Sequence, residues 1–224
     1  MSKNLVITLA LIAASALALG AFVVVAGGSA PSEGAAESAA SPSAPAPEDL
    51  LVREDSHYLA EAPGAEVTVV EFLDFECEAC RAQFPIMERL REDYDGRINL
   101  VIRYFPMPGH TNSETAATAV EAAARQGELE EMYIKMYETQ EEWGESGESK
   151  AGEFEGFAEE LGLDTERFAE DAADPATLDR VRADFDDGLA LGVQGTPTIF
   201  VNGRQTDPMP SYGTLSAMID RELS

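Results

Sequence analysis

Two runs of apolar and β-branched residues in the middle of the chain predict the core strands of a sheet. Residues 67 to 75 read V-T-V-V-E-F-L-D-F, which is typical of a strand buried on both faces, and residues 98 to 105 form a second such run. Between them, residues 81 to 94 carry apolar side chains at helical spacing. Pro85 predicts a kink there rather than an end, because the apolar period resumes beyond it. The order strand, helix, strand predicts a β-α-β unit with parallel strands.

The second half of the chain has a mostly helical pattern. From residue 112 to residue 191, apolar positions recur every three or four residues, which predicts several amphipathic helices. Residues 198 to 201 predict a short strand closed by an Asn-Gly turn, residues 205 and 206 begin an edge strand, and residues 214 to 223 predict a final helix. The pattern therefore predicts an α/β fold in which a helical subdomain, at about 112–191, is inserted into the sheet.

The first 47 residues differ from the rest and predict a separate organisation. Residues 1–4, which include Lys3, form a positively charged n-region that stays cytoplasmic, and the stretch from Leu5 to Val25 carries no charge. We expect residues 5–26 to be a transmembrane anchor, with a signal segment cleaved after about residue 28 as the alternative. Residues 27–47 are nearly all Ala, Ser, Pro, Gly and Glu, which predicts a flexible linker. Residues 48–224 then form one folded domain outside the cytoplasm.

The net charge of the chain argues against some classes of binding partner. With 15 basic and 42 acidic residues, the chain carries a net charge of -27, so we expect it to be repelled by nucleic acid and by anionic lipid. The simplest interpretation is a solvated surface that keeps an exported protein soluble, and a charge-guided partner site is the alternative.

The only two cysteines of the sequence, Cys77 and Cys80, form a C-x-x-C motif where the first core strand passes into a helix. A thiolate is the nucleophile of disulfide exchange, and a helix N-terminus stabilises it through unpaired N–H groups and the helix dipole. Cys80 lies one turn further along, close enough to close a disulfide. The motif predicts a redox pair in which a substrate thiolate attacks the disulfide and forms a mixed disulfide at Cys77. We expect no cofactor beyond this disulfide.

Two other roles are open to a C-x-x-C motif. Half of a zinc site needs two further ligands, and the only histidines, His57 and His110, lie too far from the pair in sequence for the usual ligand spacing. An inert disulfide across one helical turn constrains very little chain. Redox chemistry fits the position of the motif better than either, so we expect no metal site.

Three segments together resemble the DsbA-like thioredoxin-fold oxidoreductases, particularly single-domain secreted or anchored forms of Gram-positive bacteria. They are E-F-L-D-F-E-C-E-A-C followed by R-x-x-F-P, then R-Y-F-P-M-P-G-H, and finally L-G-V-Q-G-T-P-T-I-F-V-N-G. The resemblance covers about residues 50 to 222 and implies a thioredoxin-like fold with an inserted helical subdomain. It also implies that Pro197 is cis and that Thr196 and Pro197 face the cysteines and offer backbone groups to the substrate. An ordinary proline that opens a strand is the alternative.

The residues around the cysteines depart from the strongly oxidising members of that family, which carry Pro-His or a similar dipeptide between the cysteines. This chain has Glu78 and Ala79 there, with Asp74 and Glu76 just before. Carboxylates near a thiolate raise its pKa, so we expect the pKa of Cys77 to lie above that of the strongest oxidants, and the protein to be a moderate oxidant.

Two polar residues near the motif have more than one interpretation. Asp74 is a candidate proton shuttle for Cys80. The simpler interpretation is a polar residue at the end of the strand whose hydrogen bonds are satisfied there. For His110, a loop or capping role is preferred to a place in the groove.

These features predict an extracytoplasmic enzyme that oxidises cysteines of unfolded exported proteins and is reoxidised by a membrane redox partner. A reductase or isomerase uses the same residues, and non-enzymatic binding of unfolded chains is a third possibility. The sequence does not decide the direction of electron flow, the substrates or the oligomeric state.

Overall fold

The computed structural model of the chain describes residues 44–224 and contains a mixed sheet of five strands. The strands lie in the order β1-β3-β2-β4-β5; β2 and β3 are parallel, and the other neighbours are antiparallel. The α/β fold class and the parallel β-α-β unit are therefore confirmed. Strand bounds are β1 (His57–Ala60), β2 (Val67–Leu73), β3 (Ile98–Tyr104), β4 (Thr198–Val201) and β5 (Arg204–Gln205).

The sheet is buried on both faces, as the unbroken apolar run of β2 predicts. Alternate residues of β2 enter two different cores: Val69 and Leu73 face the larger one, whereas Val70 and Phe72 face the smaller one. The larger core is covered by α2 (Glu78–Asp93) and α8 (Tyr212–Glu222) together with part of the helical insertion. Helix α2 begins at Glu78, directly after Cys77, as the predicted place of Cys77 at a helix N-terminus requires, and it runs through Pro85 without ending there.

The insertion between β3 and β4 consists of five helices, of which the alanine-rich α3 is central and the other four pack against it. Ala116, Ala122 and Ala123 of α3 are fully buried, and such small side chains let neighbouring helices approach closely. This confirms the helical subdomain predicted within the sheet. Its helices are α3 (Ser113–Ala124), α4 (Leu129–Trp143), α5 (Ala151–Glu160), α6 (Thr165–Ala173) and α7 (Pro175–Ala190).

A buried ion-pair network joins the sheet to this insertion. Arg103 of β3 and Asp184 of α7 are both fully buried, with 2.5 Å between Arg103 Nε and Asp184 Oδ1. A second nitrogen of Arg103 lies 2.6 Å from Asp187, and its third donates to the carbonyl oxygens of Leu50 and Leu51 in α1 (Glu48–Leu51). Each nitrogen of the Arg103 guanidinium therefore has a partner, as its burial requires.

The N-terminal region is described only in part. The predicted n-region at 1–4, the anchor or signal at 5–26 and most of the linker at 27–47 lie outside the described residues. The end of that linker, residues 44–47, runs beside the β4–β5 turn, where Ala46 N donates to Gly203 O at 2.8 Å. Within residues 44–224, no helix combines the length and the apolar character needed to cross a bilayer.

Candidate active site

Cys77 lies between the core strand β2 and helix α2. The strand ends at Leu73, and Cys77 is the N-terminal cap of α2, where its carbonyl accepts the first helical bond from Arg81 N at 3.1 Å. Cys77 is partly exposed, whereas Cys80, one turn further into the helix, is 1 % exposed. Both are thiols in this structure. Only Cys77 is accessible to a protein substrate.

The loop before β4 brings a distant part of the chain to Cys77. The Thr196–Pro197 peptide bond is cis, and the Cys77 thiol lies 3.4 Å from the carbonyl oxygen of Thr196. In this thiol form the buried hydroxyl of Thr196 has no hydrogen-bond partner among residues 44–224, so it is free to donate to Cys77 once the thiol ionises. Thr196 and Pro197 therefore face the cysteines, as the resemblance implied.

The surroundings of Cys77 favour its thiolate form. The pKa of Cys77 is lowered from 9.0 to about 5, mainly by a hydrogen bond from the Cys80 thiol. Partial burial opposes this change, but the Thr196 hydroxyl and the backbone N–H groups of Cys80 and Ala79 add to it. Cys77 is therefore largely ionised at neutral pH.

Cys80 has the opposite tendency. Burial, followed by its hydrogen bond to Cys77, raises the pKa of Cys80 well above its ordinary value. Glu71, a β2 residue that is 2 % exposed, adds to this shift through its charge, and burial raises its own pKa to about 8. The pair thus combines one ionised and one protonated sulfur. Glu71 lies within an otherwise apolar strand, so no sequence motif signals its place beside the cysteines.

Asp74 reaches Cys80 through its backbone rather than through its carboxylate. Its N–H group lies 3.5 Å from the sulfur of Cys80. Its buried carboxylate accepts from Glu76 N at 2.9 Å and from Met107 N at 3.0 Å, and it lies 2.6 Å from Nδ1 of His110. His110 lies in a loop, one of the two roles preferred from the sequence, and it is bonded there to Asp74. The proton-shuttle role of Asp74 stays a prediction.

Hydrogen bonds join the helical insertion to the active-site loop, which is residues 74–77 between β2 and α2. The side-chain amide of Gln140 in α4 donates to Phe75 O at 2.6 Å and to Cys77 O at 3.0 Å. The carboxylate of Glu76 accepts from the backbone N–H of Asn112, at the start of α3, at 2.6 Å. Both contacts join parts of the chain that are far apart in sequence, and no local spacing signals them.

The acidic residues beside the cysteines act differently from the sequence-based expectation. Glu78 is exposed to solvent, Glu76 is bonded to the insertion, and Asp74 is paired with His110. None of these carboxylates is among the main causes of the lowered pKa of Cys77, which come instead from Cys80, Thr196 and the helix N-terminus. These carboxylates therefore do not account for the pKa of Cys77, and the expectation that this pKa lies above that of the strongest oxidants stays a prediction.

A groove of about 330 Å³ opens beside the cysteine pair. Its floor is formed by the Thr196–Pro197 loop, and one wall is the loop at 206–209. Met209 in that wall is 43 % exposed, and the next residue, Pro210, accepts a hydrogen bond from the buried amide of Gln83 in α2. Ala79 lines the end of the groove nearest the cysteines. Within residues 44–224, no cluster of three or more His, Cys, Asp or Glu side chains is arranged to hold a metal ion.

Comparison with known proteins places this site in a family. The family model described as thioredoxin matches residues 58–221, which include the C-x-x-C motif and the Thr196–Pro197 loop. The chain belongs to the thioredoxin family. It is 33 % identical over 178 residues to the probable disulfide bond formation protein D of Bacillus anthracis, a match that covers 71 % of this chain and 75 % of that protein. Within this family, the chain is a member of the DsbA-like thiol-disulfide oxidoreductases.

Two other relatives show the extent of the shared domain. A solved thioredoxin-like oxidoreductase from Silicibacter pomeroyi DSS-3 is 29 % identical, has a TM-score of 0.67, and is matched over 79 % of this chain and 97 % of that one. The Na⁺/H⁺ antiporter NhaA 1 of Salinispora arenicola is 38 % identical over 156 residues, which are 69 % of this chain. The chain spans only 23 % of the length of that antiporter.

Proposed function

We propose that this protein is an extracytoplasmic oxidase that introduces disulfides into exported proteins. The observation that carries the proposal is the opposed ionisation of its two cysteines: the pKa of Cys77 is about 5, whereas that of Cys80 is raised. A stabilised Cys77 thiolate favours the reduced form of the pair, and a protein whose reduced form is stabilised is an oxidant. For comparison, thiolate pKa values are about 3.5 in a strongly oxidising DsbA and about 7 in thioredoxin. Cys77 lies between them, which supports moderate oxidising power.

The reaction proceeds in two exchanges. A substrate thiolate attacks the sulfur of Cys77 in the Cys77–Cys80 disulfide, and Cys80 leaves and takes up a proton. A second substrate thiolate then attacks the substrate sulfur of the mixed disulfide, and Cys77 leaves as a thiolate. The substrate loses two electrons, which the cysteine pair gains. The low pKa of Cys77 makes it a good leaving group in this second step.

The groove beside the cysteines suits an unfolded chain as substrate. The backbone of Thr196 lies within reach of Cys77, and the exposed side chain of Met209 offers an adaptable apolar contact. An extended peptide with a cysteine and nearby apolar residues fits this arrangement, since cysteine and large apolar residues are mostly buried once folding is complete. The site therefore acts on newly exported chains rather than on finished proteins.

The proposed location follows from the N-terminal sequence. The uncharged stretch within residues 5–26 supports an anchor or an export signal, and Lys3 before it supports a cytoplasmic N-terminus. An anchored domain meets its substrates as they leave the membrane. It also lies near a membrane redox partner that restores the Cys77–Cys80 disulfide after each cycle.

Trapping the mixed disulfide tests this function. In Cys80→Ser, the internal disulfide cannot form, but the Cys77 thiolate can attack disulfides of exported proteins, which is the reverse of the last oxidising step and releases one substrate thiolate. Because the thiol of Cys80 is absent and cannot release the adduct, we expect these proteins to accumulate as disulfide-linked adducts of Cys77. The matched variant Cys77→Ser keeps the same size and number of cysteines but buries the remaining thiol, so it should trap none. Adducts are detected by non-reducing electrophoresis and identified by mass spectrometry. Equal trapping by the two variants, or no adducts with Cys80→Ser, would contradict the proposal.

A further inference from the structure

His110 lies at the active site although it is far from the cysteines in sequence. It follows β3, and its backbone N–H donates to Met107 O at 3.0 Å, which fixes the turn that carries it. Its Nδ1 lies 2.6 Å from Oδ2 of Asp74, and its side chain remains 34 % exposed. The imidazole therefore has one nitrogen on a buried carboxylate and an accessible remainder of the ring.

Asp74 connects this imidazole to the cysteine pair. Its carboxylate is buried, and a buried carboxylate is costly unless donors or a cation compensate its charge. Backbone N–H groups of Glu76 and Met107 supply two donors, and His110 completes the set. The backbone N–H of Asp74 lies 3.5 Å from the sulfur of Cys80. A change in the charge of His110 therefore acts on a residue that contacts the cysteine pair directly.

The charges that act most strongly on His110 are negative. They belong to Asp74 and Glu76 of the loop after β2 and to the Cys77 thiolate at the start of α2. Partial burial disfavours the imidazolium, but the bond to Asp74 and these three charges outweigh it and raise the pKa of His110. The imidazolium and the Cys77 thiolate therefore stabilise each other.

We propose that His110, held by Asp74, is a positioning residue whose imidazolium stabilises the Cys77 thiolate and thereby makes the pair more oxidising. The substrate dithiol loses two electrons and two protons, and the pair ends as a Cys77 thiolate and a Cys80 thiol. One proton stays on Cys80, and the other leaves to solvent or to a neutral His110. The dipeptide between the cysteines contains Glu78 and Ala79 and supplies no cation, so His110 brings one to the site from the loop after β3.

Substitution of His110 by glutamine tests this proposal on the purified, reduced protein. In His110→Gln the cation is lost, so we expect the acid dissociation constant of Cys77 to fall about three- to tenfold, which is half to one pKa unit. Thiolate absorbance against pH measures it. The equilibrium constant with glutathione should shift by a similar factor toward the oxidised protein, since the reduced form is less stable.

The second histidine of the chain provides a matched control. His57 is also bonded to a carboxylate, with 2.5 Å between its Nε2 and Oε2 of Glu121, but it lies on the edge strand β1, separated from β2 by β3. His57→Gln should leave the titration of Cys77 unchanged. An unchanged titration in His110→Gln, or equal shifts in the two variants, would overturn the proposal.

Thermodynamic linkage gives a second measurement that needs no substitution of His110. If the imidazolium lowers the pKa of Cys77, the thiolate must raise the pKa of His110 by the same amount. The His110 ring signal, followed by NMR, should therefore titrate at lower pH in Cys77→Ser than in the reduced native protein. Equal titrations would exclude the coupling.

This inference rests on thiol-disulfide exchange at Cys77, but its tests do not depend on the direction proposed for the cell. A pair that proves to be reduced in the cell would refute the oxidase while leaving the coupling between His110 and Cys77 intact. Conversely, a finding that His110 and Cys77 are not coupled would leave the proposed oxidase function standing.

Discussion

At the scale of single residues, the chemistry depends on the difference between two cysteines that lie one helical turn apart. Cys77 is accessible and surrounded by donors, whereas Cys80 is buried next to Glu71 and the backbone of Asp74. A nucleophile reaches only the first sulfur, and the second keeps its proton. Because of this asymmetry, exchange with another protein takes place at Cys77, and Cys80 reacts only with Cys77.

The ionisation of Cys77 makes the stability of the reduced protein depend on pH. Its pKa falls from 9.0 in the unfolded chain to about 5 in the folded one, so its contribution to stability is complete above pH 9.0 and is lost as the pH falls through 5. Between these values the stability of the reduced form should rise with pH relative to the oxidised form. Urea unfolding of both forms at several pH values up to about 8, where Cys80 stays protonated in both states, measures the difference. A constant difference would contradict the low pKa.

The sequence identified the reacting residues but not the groups that tune them. Cys77, Cys80, Thr196 and Pro197 belong to short motifs, and the structure brings all four together. The pairing of Asp74 with His110 joins distant parts of the chain and has no local pattern. The charges of nearby acidic residues were visible in the sequence, but their partners were not, so the bonds of Asp74 to His110 and of Glu76 to the insertion could not be predicted.

At the scale of elements, helix α4 of the insertion holds the active-site loop in place through one side chain. Gln140 is buried and donates to the carbonyl oxygens of Phe75 and Cys77, on either side of Glu76. Backbone carbonyls at a strand end and a helix cap have few partners within their own elements, so a buried amide from another helix satisfies them. The insertion is therefore part of the active site.

Removal of this clamp should destabilise the fold. Gln140→Leu keeps a similar volume but leaves both carbonyl oxygens without the amide donor, so we expect a loss of about 1–3 kcal/mol in the free energy of unfolding. Urea denaturation measures this loss. Gln194→Leu, at an exposed position, is the control and should change stability by less than about 0.5 kcal/mol. Equal effects of the two substitutions would show that Gln140 contributes no clamp.

The central elements were predictable because long apolar runs and helical periods are strong signals. Strands β2 and β3 and the helical insertion all follow from them. Strand β1 (His57–Ala60) was missed, since it is short, lies at the sheet edge and mixes polar with apolar side chains. The start of helix α2 at Glu78 was also predictable, because a C-x-x-C motif directly after a core strand places Cys77 at the helix N-terminus.

At the scale of the whole molecule, a buried network joins the sheet to the insertion. Arg103 of β3 contacts Asp184 and Asp187 of α7, and Arg180 also pairs with Asp184 at 2.7 Å. Breaking a buried pair leaves an uncompensated charge, whereas an exposed pair contributes little. The network therefore fixes how the helical subdomain sits on the sheet.

Loss of Arg103 should accordingly be costly. We expect Arg103→Met to lower the free energy of unfolding by about 1.5–3 kcal/mol, because its buried charge-assisted hydrogen bonds are lost, while Asp184 keeps Arg180 and Asp187 keeps Arg53. Arg182→Met is the matched control: Arg182 also lies on α7 and bridges to Glu114 of α3, but at the surface and at 3.3 Å. It should cost less than about 1 kcal/mol. Urea unfolding compares the two variants. Similar losses of stability would show that the buried network of Arg103 contributes no more than a surface ion pair.

The central claim, that the cysteine pair acts as an oxidase outside the cytoplasm, is tested most directly by its redox state in the cell. Rapid acid quenching followed by alkylation with a mass-tagged reagent separates the oxidised from the reduced protein. The account predicts that Cys77 and Cys80 are mostly joined in a disulfide at steady state, because the membrane partner restores it after each turnover. A pair found mostly as thiols would contradict the oxidase and identify a reductase or isomerase.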